Sequence, residues 1–232
     1  MIKNPIFVAE IGMNADGVFE NNKKLIKAAK YSGANIAKFQ IGWRDGREDI
    51  NYLDEKRVNQ LFLWGKKYNI EIMFSIIKPY ALEIIRKFRV KKFKIASRTV
   101  IEYPKLVKDV LKLQKPTYIS LGWWKKNSFP FKEKNAKYLY CISNYPTLHK
   151  DLKNLPKKFD KFYGYSDHVV GLEACFISLS RGARLIEKHF TLTKDSKVIR
   201  DHALSATPEE FKVLVDHGSK IFELRNAIDR KK

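Results

Sequence analysis

Two histidines in the second half of the chain follow short runs of apolar or β-favouring residues. His168 closes the segment Gly-Tyr-Ser-Asp-His at 164–168, and His189 follows Leu-Ile-Glu-Lys at 185–188. In an α/β protein both would lie where a strand ends and a loop begins, which is where barrel enzymes hold their catalytic groups. Two imidazoles, a later aspartate at Asp201 and hydroxyls from other strand ends could hold one divalent cation with open coordination positions. Because a single histidine is more often a hydrogen-bonded structural residue than a ligand, the other strand ends decide between the two interpretations.

Polar side chains recur at the other predicted strand ends. Those that could bind a substrate or take part in catalysis are Glu10, Asn14, Lys38, Gln40, Ser75, Lys94, Ser97, Ser143, Asn144, Tyr145 and Ser166. The inner face of a barrel is mostly filled by branched apolar residues, so inward lysines need an explanation. Lys38 and Lys94, on neighbouring strands, could clamp a phosphate, with hydroxyls and amides completing the site. Alternatively, either lysine faces outward between helices, but the pair together with the serines favours a binding site.

Strand-like and amphipathic helical segments alternate along the chain. The predicted strands are 6–11, 35–40, 71–76, 92–97, 117–121, 138–143, 162–166 and 184–190. Apolar residues at helical spacing predict helices at 21–31, 54–68, 79–88 and 172–179, another that Pro104 opens, and a last one that begins with the capping box of Thr207 and Glu210. The segment 123–137, rich in lysine and aromatic residues, predicts a loop with at most a short helix. Eight βα units fill the chain, so the predicted fold is α/β, a (β/α)8 TIM-type barrel forming a single domain over 1–232, with a doubly wound sheet as the alternative.

The composition indicates a globular chain with one domain. It has 232 residues, of which 44% are hydrophobic and 13% aromatic. Neither a long apolar run nor a signal-like N-terminus is apparent, so we expect no membrane association and a cytoplasmic location. Cys141 and Cys175 lie inside apolar runs without CxxC spacing, which predicts two buried thiols and no disulfide.

The net charge of +21, from 46 Lys and Arg against 25 Asp and Glu, is the unusual global feature. Such an excess can indicate a partner such as nucleic acid or another polyanion, or it can steer anionic metabolites towards a site. The lysines are spread over the polar sides of helices and over loops, and no recognised nucleic-acid motif accompanies them. The sequence therefore favours steering of small anionic substrates over binding of nucleic acid.

Seven segments, taken together and in order, resemble the sialic acid synthase family over nearly the whole chain. They are VAEIGMN at 8–14, AKFQ at 37–40, FKIAS at 93–97, YPT at 145–147, GYSDH at 164–168, EKHFT at 187–191 and DHALS at 201–205. The resemblance implies a TIM-type barrel that condenses phosphoenolpyruvate with the open-chain aldehyde of an N-acylated hexosamine. The product would be a nine-carbon 2-keto sugar acid, and phosphate would be released.

The resemblance also implies roles for the residues at the strand ends. His168 and His189 would hold Mn²⁺ or Mg²⁺, which would polarise the aldehyde, and Glu10 and Asp201 would act through water on the metal or through the sugar hydroxyls. The residues implied to bind phosphoenolpyruvate are Lys38, Lys94, Ser97 and Ser166, with Ser143 and Tyr145 lining the same pocket.

The chain departs from the family pattern at several positions. Ala15 stands where the family has a histidine after Asn14, Ile76 replaces a common threonine, and Arg98-Thr99 replaces a glycine and an acidic residue. The given sequence ends after the last predicted helix, so we expect a single barrel domain without the family's small antifreeze-like domain. In the family that domain comes from the partner subunit of a dimer and supplies an arginine to the acceptor sugar.

Three interpretations follow. In the first, the protein is an active synthase, with a homodimer or a separate partner supplying the missing domain, or with Arg98 and the Trp43-Arg44 loop as substitutes. The second is a non-catalytic barrel that binds a metal or sugar phosphate. The third is a basic polyanion-binding protein.

Overall fold

Eight parallel strands close into a barrel in the order in which they occur in the sequence. The computed structural model of the protein describes residues 4–229, apart from the side chain of residue 47. The strands are β1 Ile6–Glu10, β2 Ile36–Ile41, β3 Glu71–Ile76, β4 Phe93–Ile95, β5 Thr117–Ser120, β6 Ala136–Cys141, β7 Gly164–Asp167 and β8 Leu185–His189. The predicted (β/α)8 barrel is therefore confirmed, and the doubly wound alternative is wrong.

The alternation of side chains along each strand divides the barrel interior into layers. The lower layer is apolar and consists of Val8, Ile36, Met73, Tyr118, Leu139 and Leu185. Two residues further along the same strands, the inward positions are polar, as in Lys38 after Ile36 and Glu187 after Leu185. Successive residues of a strand point to opposite faces, so the apolar lower layer fixes which polar side chains enter the upper part of the barrel.

Within residues 4–229, seven α-helices and three 3₁₀-helices surround the barrel. The α-helices are α1 Asn21–Tyr31, α2 Glu55–Tyr68, α3 Pro79–Ile85, α4 Ser97–Glu102, α5 Pro104–Leu111, α6 Glu173–Ser180 and α7 Pro208–Asp229. The 3₁₀-helices are Gly46–Glu48, His149–Asn154 and Arg200–Leu204. The outward strand residues, such as Phe7 and Phe39, pack with the helices into the main hydrophobic core. Among the described residues, no helix is both long and apolar enough to cross a membrane.

The regular alternation of strands and helices fails on one side of the barrel. In the described chain, β5 is followed by a loop, which confirms the prediction for 123–137 up to the start of β6, and β6 is followed by a 3₁₀-helix. β4 is followed by two helices, since Pro104 cannot continue α4 and begins α5 instead. Ser97 thus opens a helix rather than ending a strand.

The two cysteines, Cys141 and Cys175, are buried and free, as predicted.

Candidate functional site

A cavity of about 200 Å³ opens at the carboxyl ends of the strands. Its walls include eleven of the side chains that the sequence singled out: Glu10, Lys38, Gln40, Ser75, Lys94, Ser97, Ser143, Tyr145, Ser166, His168 and His189. These residues come from seven of the eight strands or from the segments that directly follow them. Residues up to 179 positions apart, namely Glu10 and His189, thus meet in one place.

Both predicted lysines point into the barrel, with only 3% of each exposed. The idea that either faces outward is therefore wrong, and so is their placement on neighbouring strands, because β3 lies between β2 and β4. Lys38 contacts the carboxylate of Glu10, and its Nζ donates to Ser75 Oγ at 3.0 Å. Lys94 Nζ donates to the hydroxyl of Ser120 at 2.9 Å.

Glu187 lies between the two lysines and is absent from the sequence-based selection. Its carboxylate oxygens are 3.8 Å from Lys38 Nζ and 3.3 Å from Lys94 Nζ, and Oε1 accepts from Ser166 Oγ at 2.8 Å. Strand periodicity could have identified Glu187 as a site residue, because it stands two positions before His189 and must share the same face of the strand. Ser120 was missed in the same way, at the end of β5.

Burial and charge shift the pKa values of these groups in different directions. Burial lowers the pKa of Lys94. Burial alone would raise the pKa of Glu187, but the ammonium groups of Lys38 and Lys94 hold it below its ordinary value. The pKa of Glu10 is raised by burial, which Lys38 only partly offsets, and Glu187 raises it further. Of the two carboxyl groups, Glu10 is thus the one that takes up a proton more readily.

The two histidine rings lie side by side, with centroids 5.4 Å apart. His168 Nδ1 is 2.7 Å from the carbonyl oxygen of Ile142, so this nitrogen is the donor and Nε2 is left for the cavity. His189 Nδ1 is buried without a hydrogen-bond partner in the described structure. Burial lowers the pKa of His189 well below the ordinary value, and the charge of His168 lowers it further, so the ring is neutral at pH 7 and can act as a ligand.

These imidazoles fit a divalent cation in part. Among residues 4–229, no group of three or more His, Cys, Asp or Glu side chains is arranged to hold a metal ion. His168 and His189 could supply two nitrogen ligands, and the buried nitrogen of His189 without a partner is the observation that favours one. The remaining positions would be left for oxygen atoms of water or substrate.

Three of the predicted polar residues lie outside the cavity wall. Asp201, in the 3₁₀-helix Arg200–Leu204, places Oδ2 3.8 Å from His189 Nδ1, and burial raises its pKa. Asn14 donates instead to the carbonyl of Phe190 at 2.9 Å and so ties the end of β1 to that of β8. Asn144 donates to Asp151 at 3.3 Å.

Two arginines stand at the mouth of the cavity. Arg98 donates from Nε to Glu102 at 2.7 Å, and its guanidinium lies 5.7 Å from the ring centre of Trp43. The guanidinium of Arg200 lies 5.1 Å from the ring centre of Tyr145. Both arginines line the cavity, and each is paired with a carboxylate, Arg98 with Glu102 and Arg200 with Asp201 at 3.5 Å.

The chain is similar to known proteins both in sequence and in fold. A model of the NeuB family matches residues 45–230. An uncharacterized protein of Methanocaldococcus jannaschii is 36% identical, over 92% of this chain and 70% of that protein. The N,N'-diacetyllegionaminic acid synthase of Campylobacter jejuni is 29% identical, over 92% of this chain and 75% of its own length. The crystal structure of an N-acetylneuraminic acid synthetase from Leptospira borgpetersenii superposes with a TM-score of 0.82 at 26% identity, covering 96% of this chain and 85% of the other.

Proposed function

Since the chain belongs to the NeuB family, we propose that it condenses phosphoenolpyruvate with the open-chain aldehyde of an N-acylated hexosamine of the N-acetylmannosamine type. Carbon 3 of phosphoenolpyruvate forms a bond to the aldehyde carbon, water adds to carbon 2, and phosphate leaves. A nine-carbon 2-keto sugar acid results, with no change of oxidation state that would need a further reagent. The names of the similar proteins, which are synthases of acids of this kind, support the proposal.

The observation that carries the proposal is the pair of buried ammonium groups of Lys38 and Lys94, which share one carboxylate within the cavity. Lysines that only balanced the charges of Glu10 and Glu187 would need no cavity beside them. Here both lysines line an open cavity together with the hydroxyls of Ser75, Ser97 and Ser166, a set suited to a phosphate or carboxylate.

Charge balance determines what must change when phosphoenolpyruvate binds. Lys38 and Lys94 are offset by Glu10 and Glu187, so an added trianion leaves the interior too negative. Uptake of a proton by Glu10, whose pKa is already raised, reduces that excess and frees Lys38 for the substrate. Glu10 then holds a proton beside the reacting atoms and can give it to the developing alkoxide.

We also propose that His168 and His189 hold Mn²⁺ or Mg²⁺. The cation would supply Lewis-acid polarisation of the aldehyde oxygen. Asp201, whose Oδ2 lies 3.8 Å from His189 Nδ1, would act through water on the metal or on the sugar hydroxyls. Tyr145 packs on His168 with ring centroids 4.1 Å apart, and burial raises its pKa well above the ordinary value, so its phenol remains a hydrogen-bond donor.

The acceptor sugar lies towards the mouth. Sites for ligands usually have volumes of about 300–1000 Å³, and the interior cavity, of about 200 Å³, suits the smaller of the two substrates. The sugar would therefore extend between Arg98, Arg200 and the ring of Trp43, which offers an apolar face for stacking.

The test is release of phosphate from phosphoenolpyruvate by the purified protein with Mn²⁺ or Mg²⁺. The acceptors are N-acetylmannosamine, its 6-phosphate and a di-N-acylated 6-deoxyhexose, each with and without chelator. We expect release that requires one acceptor and the metal. Lys94→Met should lower kcat/KM at least about a hundredfold, whereas Lys92→Met, in the same segment but paired with Glu71 at the opposite end of the barrel, should retain turnover.

Each alternative function has its own outcome in this experiment. Binding of metal without phosphate release, with all acceptors, would point to a non-catalytic barrel. Binding of polyanions that weakens steeply with salt, without any metal requirement, would point to a polyanion-binding protein. Equal loss of activity in Lys92→Met and Lys94→Met would remove the assignment of Lys94 to the substrate.

A further inference from the structure

A second cavity, of about 770 Å³, lies beside the first and shares only Cys141 with it. It lies between the loop that follows β5 and the segment that follows β6. These are the two connections that contain no α-helix in the described chain. The outer side of the sheet is therefore less covered here than elsewhere in the barrel.

Aromatic rings form the floor of this second cavity. They are those of Trp124, Phe129, Tyr140 and Phe162. Phe129 stacks on Tyr138 with centroids 4.1 Å apart, and the edges of Phe129 and Tyr140 each meet Phe162 at 5.5 Å. The contacts hold the rings in fixed orientations, while Phe129 remains 37% exposed. A rigid aromatic surface of this kind suits a flat ring.

Four lysines surround the floor, namely Lys125, Lys126, Lys150 and Lys153. None of the four forms an ion pair with a carboxylate of the described residues, and all are exposed. Asp151 is the one carboxylate in the wall, and it accepts from the backbone N–H of Leu148 at 3.0 Å and from Asn144 at 3.3 Å. Whereas the ammonium groups of the first cavity are balanced by glutamates, those of the second are not.

We propose that the second cavity binds a phosphate ester carried on a ring, as in a nucleoside phosphate or a sugar phosphate. The ring packs on the aromatic floor and the phosphate groups lie among the lysines, which bind phosphate as point charges. The volume is within the usual range of about 300–1000 Å³ for ligand sites. A second copy of this chain is a poor occupant, because residues 123–161 carry ten lysines against three acidic residues. The same positively charged segment of a second copy would be repelled.

Binding is measured by quenching of tryptophan fluorescence in the Trp43→Phe/Trp123→Phe variant. This variant removes the two indoles that line the first cavity, so binding there is not reported, while Trp124 remains on the floor of the second. The probes are adenosine triphosphate, glucose 6-phosphate and inorganic pyrophosphate. We expect saturable quenching by at least one ring-bearing probe, and at least about tenfold weaker binding of pyrophosphate, which has the charge but no ring to stack. The tighter of the two ring-bearing probes identifies the source of the phosphate ester.

Two charge-reversal variants on this background localise the binding. Lys150→Glu/Lys153→Glu should weaken it about tenfold or more, and Lys157→Glu/Lys158→Glu, with the same change of charge at exposed positions away from the cavity, by less than about twofold. Equal weakening by both would mean a diffuse attraction to the basic surface and would overturn the proposal. Absence of saturable quenching, or equal affinity for pyrophosphate, would overturn it too.

Discussion

The ammonium group of Lys94 and the carboxylate of Glu187 face each other inside the barrel, with Nζ 3.3 Å from Oε1. Lys38 approaches the other oxygen of the same carboxylate, at 3.8 Å. One carboxylate thus serves two buried ammonium groups, and any anion that binds to the lysines must compete with it.

Glu187→Gln should reveal the competition between this carboxylate and a bound anion for Lys38 and Lys94. Removing the charge leaves two buried ammonium groups with less compensation, so the free energy of unfolding should fall by about 3 kcal/mol. Inorganic phosphate should stabilise the variant more than the wild type, because it replaces negative charge beside the same lysines. Urea denaturation with and without phosphate measures both effects.

Glu71→Gln is the matched control for this prediction. Glu71 pairs with Lys92 at 2.6 Å at the start of β3, where both side chains are partly exposed. The loss of stability should be smaller there, and phosphate should add no more than it adds to the wild type. Equal gains from phosphate in both variants would show that the anion acts elsewhere.

His189→Ala should weaken binding of Mn²⁺ and abolish turnover. The variant removes one of two imidazoles and the buried Nδ1 that has no hydrogen-bond partner in the described structure. We expect affinity to fall at least about tenfold, measured by titration calorimetry. His217→Ala changes an exposed histidine of α7 and should leave both properties unaltered. Turnover that survives in His189→Ala would remove the metal assignment.

The free energy of unfolding should depend on pH in a way that reports the protonation of His189. Burial lowers its pKa well below the ordinary 6.5, so below that pH the unfolded chain binds more protons at this residue than the folded one. Its contribution is therefore constant above the unfolded pKa and becomes destabilising as the pH falls, by at most about 1.4 kcal/mol per unit.

The measurement is urea denaturation at about pH 7.5 and about pH 5.5, in chelator, for the wild type and His189→Gln. The wild type should lose more stability on acidification than the variant, which has no group to titrate at this position. The other histidines are common to both proteins, so the difference reports the titration of His189 together with its charge coupling to His168. Parallel losses in the two proteins would refute the lowered pKa.

The positions of Lys38 and Lys94 follow from the sequence because strand periodicity fixes the face of each side chain. Ile36 precedes Lys38 by two residues and packs in the apolar lower layer, so the lysine must enter the barrel as well. The same rule would have found Glu187 from Leu185. The position at the end of a strand, taken without the periodicity, indicates only His189 and not Glu187.

Other parts of the structure depend on tertiary contacts that local sequence does not reveal. α4 contains Thr99, Val100 and Ile101, β-branched residues that favour a strand, yet it is helical, with Thr99 and Val100 buried. Asp201 lies in a long connection between β8 and α7, and its approach to His189 depends on how that connection folds back. Spacing along the chain predicts neither result.

The ion pair of Lys188 and Asp167 lies on the outer face of the barrel sheet and does not line the cavity. Substitutions in this pair should therefore change the stability of the fold without changing the site. Lys188 Nζ donates to Asp167 Oδ2 at 2.7 Å and also to the carbonyl of Val169, while Cys175 of α6 donates to the same carboxylate at 3.3 Å. Both charged side chains are at most 1% exposed. Lys188→Met should lower the free energy of unfolding by about 3–5 kcal/mol, because the aspartate remains buried without its counter-charge.

The double variant Lys188→Met/Asp167→Asn separates that cost from the loss of packing. With both charges removed, no uncompensated carboxylate is left, so the double variant should be more stable than Lys188→Met alone. Lys212→Met is the control, since its partner Asp216 is exposed and the pair should contribute at most about 1 kcal/mol. A double variant no more stable than Lys188→Met would mean that the uncompensated charge of Asp167 does not account for the loss.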